Sequence, residues 1–152
     1  MSEEPTVEQL VEAERARWGE LMALLSQLTP EQMRRPGYFQ EGWSAKDLLA
    51  HLAGWLAEAG LVLEQVRAGT FTGRDMDVDA MNATFLSANR DEPITIVEAQ
   101  AHAARQRLMR EVRELEDISG DAAVWLRKAG PDHYDEHLPR LREWVKEVRS
   151  HS

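Results

Sequence analysis

The chain has 152 residues, enough to bury about two-thirds of its unfolded surface and to fold without a structural metal. It holds no cysteine, which excludes disulfides, thiolate ligands and a cysteine nucleophile together, so any thiol chemistry must draw its thiol from solution. With 18 basic and 27 acidic residues the net charge is −9, which argues against nucleic acid as a partner; the acidic N-terminus is no signal peptide, no apolar run is long enough for a membrane span, and a cytoplasmic protein is expected.

The first helix opens at Thr6, where Thr6 and Gln9 have capping-box spacing, and carries Val7, Leu10, Val11, Trp18, Leu21, Met22, Leu25 and Leu28 at three- and four-residue steps. Thr29 and Pro30 start a short turn as N-cap and first helical residue, and residues 34–42 form a loop. Residues 43–69 form the second long helix, capped by Ser44 and closed by Gly69, with Leu48, Leu52, Trp55, Ala59, Val62 and Val66 on its inner face. A shorter helix covers about 77–90 through Val78, Met81, Phe85 and Leu86. After Pro93, the Thr95 to Glu98 spacing predicts a capping box for a third long helix that runs through Val97, Ala101, Leu108, Val112 and Leu115. The last helix carries Val124, Trp125, Leu138, Leu141, Trp144, Val145 and Val148, and breaks at Gly130-Pro131. Strand signals are nearly absent. The expectation is an all-α four-helix bundle, one domain over residues 1–152, with a short extra helix between the second and third long helices.

His133 and His137 stand four apart in "PDHYDEHLPR", a spacing that lets two imidazoles on one helix face share a metal ion. Alone, such a pair more often lies on a solvated face. Helical phase sets His137 about 40° from Leu141 and about 20° from Trp144, which turns the pair inward. His51 falls on or beside the buried stripe of the second helix, where a histidine is more often a satisfied core residue than a ligand. Three inward histidines from two helices, however, suit a bundle-core site that leaves coordination positions open for water or substrate. Zinc, nickel and ferrous iron all suit imidazole. Trp55 and Glu58, one and two turns beyond His51, are candidates for a substrate pocket, although a solvated glutamate is the more frequent outcome. Asp132, Asp135 and Glu136 could orient the imidazoles, with surface charge again the more frequent outcome. His102 and His151 are taken as surface residues.

The blocks "GWSAKDLLAHLAGW" (42–55), "NATFLSANRDEPI" (82–94) and "DHYDEHLPRLREW" (132–144) together resemble the DinB-like superfamily, with the closest look to its ClbS/DfsB-like branch. The resemblance implies a four-helix bundle, a homodimer, and a divalent metal on His51, His133 and His137. It further implies an enzyme acting on a small electrophilic substrate, as a thiol-dependent transferase using a low-molecular-weight thiol or as a hydrolase, in detoxification or self-resistance. A hydrolase of the resistance type that uses no metal is a further alternative, and a non-catalytic bundle that binds or sequesters a small molecule is another. Gly130-Pro131, just before the histidine pair, departs from the shared pattern and is expected to bear on where His133 lies relative to His51.

Overall fold

The computed structural model describes residues 5–38 and 42–151. Its elements are α1 (Val7–Leu25), α2 (Pro30–Met33), α3 (Ala45–Ala68), α4 (Val78–Asn89), α5 (Ile94–Glu114), α6 (Gly120–Ala129) and α7 (Pro131–Ser150), with no strand among the described residues. The long helices α1, α3, α5 and α7 make a four-helix bundle, with α4 between the second and third as expected. None of the described helices is long and apolar enough to cross a membrane.

Local chemistry accounts for most helix ends. Thr6 and Gln9 satisfy each other's backbone N–H groups at 3.1 and 2.8 Å, and Thr29 with Gln32 repeats the device at 3.1 and 2.9 Å. Ser44 and Asp47 cap α3 in the same reciprocal way, while Gly69 closes it with φ 74°, a left-handed conformation that costs glycine little. The capping box expected at Thr95 and Glu98 does not form. Helix α5 begins at Ile94, because Pro93 takes the extended cap position and its carbonyl accepts from the N–H groups of Ile96 and Val97. Burial of Ile94, only 7% exposed, fixes that earlier start.

Helix α3 is the centre of the molecule, packed by α2, α4, α5 and α6. It is therefore buried almost all round: Leu49, Leu56 and Leu63 are as enclosed as Leu48 and Leu52, whereas Trp55 and Val66 of the expected inner face are only half-buried. Helix α4 has no buried residue. It lies on α3 with the Phe85 ring over Gly54, where a Cβ would come within 2.3 Å of that ring. The Trp55 indole N–H donates to Asn82 Oδ1 at 2.7 Å, and Lys46 Nζ donates to the Arg90 carbonyl at 3.1 Å, holding the C-terminal end.

Helices α1, α5 and α7 are tied by one buried polar group. The Glu14 carboxylate, fully buried, accepts two hydrogen bonds from Arg105 at 2.7 Å and one from the Tyr134 hydroxyl at 3.0 Å. A buried charge persists only when so paired. Pro131 occupies the first helical position of α7, and Pro139 sits within that helix on its exposed side without ending it.

Candidate metal centre

Helices α3 and α7 meet at three histidines. His51 and His137 are buried and His133 is half-buried. His51 Nε2 lies 2.9 Å from His133 Nε2, which lies 3.3 Å from His137 Nε2. One nitrogen from each ring falls within 4.8 Å of the other two, and no other such group of three or more occurs among the described residues. The helix break at Gly130-Pro131 does not carry His133 away from His51; it starts α7 at the turn from which His133 projects.

The donor set fits a divalent ion. Ligand nitrogens at about 2.0–2.1 Å from a zinc-like ion, subtending 90–110°, would stand about 2.9–3.4 Å apart; the His51–His133 and His133–His137 separations meet this, and the third pair lies within 4.8 Å. All three imidazoles are also held in the neutral, ligating form. Burial, reinforced by His137, lowers His51 from the usual histidine value to about 4. Burial, with His51 and His137 adding, lowers His133 to about 3. Burial lowers His137 as well, against the opposing pull of Glu136.

Two aromatic residues that the sequence reading did not single out set the ring orientations. The Tyr38 hydroxyl lies 3.3 Å from His137 Nδ1 and donates to the His137 carbonyl at 3.4 Å. With that proton on the carbonyl, Nδ1–H donates to the phenol oxygen and Nε2 is left as a lone pair. Burial raises the Tyr38 phenol well above its ordinary value, so it stays protonated. Its loop is clamped to α7 by Arg140, whose Nε donates to the Tyr38 carbonyl at 2.7 Å and whose Nη2 donates to that of Gly37 at 3.1 Å. Trp43 packs on His51 with ring centroids 5.1 Å apart, and His51 Nδ1 is buried with no partner among the described residues.

A cavity of about 410 Å³ opens over the histidines, with His51, His133 and Trp55 in its lining. Glu58 is not part of that lining; it pairs with Arg74 at 3.3 Å. Asp132 and Asp135 turn to Arg127 and Arg17, at 3.5 and 2.9 Å, and not to the imidazoles, while Glu136 lines the cavity. His102 and His151 are exposed. Val124 and Trp125, placed on the last helix from the sequence, wall the cavity, as do Met76 and Val78, and Trp125 also packs against the core. Their apolar character was visible in the sequence, but periodicity does not separate a pocket wall from a core.

The model of the mycothiol maleylpyruvate isomerase N-terminal domain matches residues 14–151. The chain belongs to this family. The assignment agrees with the DinB-like resemblance drawn from the three sequence blocks. No curated protein sequence matches the chain significantly. Among solved structures, an uncharacterised protein from Escherichia coli UTI89 shares the fold with a TM-score of 0.81 at 18% identity, over 95% of each chain. The colibactin self-resistance protein ClbS, solved in complex with a double-stranded DNA, superposes with a TM-score of 0.76 at 17% identity, over 94% of this chain and 97% of its own. That complex overturns the exclusion of nucleic acid based on net charge. A protein of this fold meets DNA, and contact depends on local patches and not on the total charge.

Proposed function

We propose that the chain is a divalent-metal-dependent enzyme acting on a small electrophilic molecule, in detoxification or self-resistance. The observation that carries this reading is the convergence of three neutral imidazoles at one point, two of them, His51 and His133, lining an open cavity. His51, His133 and His137 would hold the ion, zinc, nickel or ferrous iron. When bound, the ion supplies Lewis acidity to a nucleophile, either water in a hydrolase or a thiol in a transferase. Family membership and the fold shared with a self-resistance protein support the detoxification setting. The chain has no cysteine, so the thiol in the transferase form comes from solution.

The chain's own residues do the rest. Tyr38 and Trp43 orient two of the imidazoles, and burial keeps protons off all three. Trp55, its indole fixed by Asn82, stands beside them as a wall that excludes water from the reacting end of a substrate.

The test is metal content of protein purified without a histidine tag. About one divalent ion per chain is expected, falling to background in His133→Ala, because two remaining imidazoles hold an ion poorly. Substoichiometric metal that His133→Ala leaves unchanged sinks the reading. The apolar cavity also suits a non-catalytic binder, which differs in that ligand-induced thermal stabilisation would survive chelation.

A further inference from the structure

The cavity has a chemical character of its own, beyond its position over the histidines. Three large hydrophobic side chains stand out as exposed among the described residues: Val78 at 48%, Val124 at 42% and Ile96 at 41%. Two of these, Val78 and Val124, come from separate elements and both line this one cavity. Trp55, Met76 and Trp125 complete an apolar wall. Apolar side chains left open to water at one concave place mark a surface that an apolar partner covers.

The polar groups argue the same way. No arginine lines the cavity, and its charged residues, Lys128 and Glu136, are exposed and of opposite sign. The neighbouring arginines stand outside the lining and pair with carboxylates, Arg74 with Glu58 at 3.3 Å and Arg127 with Asp132 at 3.5 Å. Asn82 Oδ1 is occupied by the Trp55 indole. Nothing in the cavity lining matches the paired donors that recognise a carboxylate or phosphate. Size also constrains the occupant: a dry cavity of roughly 150 Å³ takes one benzene ring, and this one, at about 410 Å³, is more than twice as large.

We propose that the cavity takes a neutral, largely apolar molecule of two or three rings, with its single polar end against His51 and His133, and that it discriminates against anionic ligands. The inference names the substrate class of the site proposed above and rests on that reading only for what the polar end meets.

A matched pair of fluorescent probes tests it. N-phenyl-1-naphthylamine is neutral, and 1-anilinonaphthalene-8-sulfonate is the same skeleton bearing one negative charge. Binding is read by energy transfer from the cavity tryptophans, with protein as purified and after chelation. The neutral probe should bind saturably, and about tenfold or more tighter than the sulfonate. Val78→Asp and Val124→Asp, at exposed positions on different elements, should each weaken the neutral probe by about tenfold, while Ile96→Asp, outside the cavity, should leave it within about twofold. Equal or tighter sulfonate binding overturns the inference, as does neutral binding that neither cavity variant weakens. Cobalt uptake, read by visible absorbance on the same preparations, separates the two claims. Neutral binding without cobalt uptake upholds this inference and fails the metal reading; cobalt uptake with preferred sulfonate does the reverse.

Discussion

His137 has its outer nitrogen beside a named protein group, the Tyr38 hydroxyl, whereas His51 Nδ1 has no partner among the described residues. That contact does more than fill space. If the phenol donated to Nδ1, the other ring nitrogen would carry a proton and could not ligate; with the phenol proton directed to the His137 carbonyl, Nε2 stays free. Tyr38→Phe keeps the ring and removes this choice of tautomer. On the metal reading it should weaken metal affinity by about 10- to 100-fold, measured by competition with a chromophoric chelator. Loss of one neutral hydrogen bond should cost the metal-free protein only about 1 kcal/mol, roughly 2–4 °C in Tm. A fall in Tm with unchanged metal affinity would make Tyr38 a packing residue and nothing more. The three histidines themselves were legible in the sequence, because helical phase turned each toward a buried stripe. Tyr38 was not. It lies in a loop that has no period to read, and it reaches His137 only because Arg140 clamps that loop to α7.

Helix boundaries were legible where a side chain closes its own turn, as at Thr6, Thr29 and Ser44. They were not where a tertiary contact decides, as at Ile94, whose burial starts α5 ahead of the Thr95 to Glu98 motif. The same distinction explains α4. Its apolar residues have helical spacing, yet none is buried: Phe85 packs on Gly54 of α3 and Val78 lines the cavity. What seats it is the absence of a side chain at Gly54 beneath Phe85. Gly54→Ala should therefore lift α4 without harming α3, since alanine is the better helix former by about 1 kcal/mol. Hydrogen exchange should speed up across residues 78–89 while α3 and α5 keep their protection, and binding of the neutral probe should weaken. Unchanged exchange in α4 would mean that the Trp55 to Asn82 and Lys46 to Arg90 hydrogen bonds seat the helix without the glycine.

At the scale of the whole molecule, holding the imidazoles neutral lowers stability only where the pH is acid enough to protonate the unfolded chain. The framework around them is strong: the buried Glu14 carboxylate joins α1, α5 and α7 through Arg105 and Tyr134, and α3 packs on four other helices. Within that frame His51 and His133 are held at about 4 and about 3, whereas in the unfolded chain they take up protons near 6.5. The sign follows from linkage. Above about pH 6.5 both states are neutral at these positions and stability does not depend on them. As pH falls below that value the unfolded chain binds protons that the folded chain refuses, so stability drops by up to about 1.4 kcal/mol per pH unit for each such histidine. The loss stops once pH passes the folded values and both states are protonated. Metal-free protein should thus show a Tm that falls between about pH 6.5 and 4. Carboxylates paired in the fold, such as Glu111, held below its usual value by Arg67, add losses of their own at the acid end. The difference between wild type and His133→Gln isolates the histidine contribution: it should be largest at neutral pH and shrink as pH falls through 6. A bound ion favours the neutral form further, so loaded protein should hold its Tm to lower pH than metal-free protein. If the wild-type and His133→Gln profiles run parallel from pH 7 to 4, the cluster is not held neutral, and the electrostatic basis for a preformed ligand set is lost.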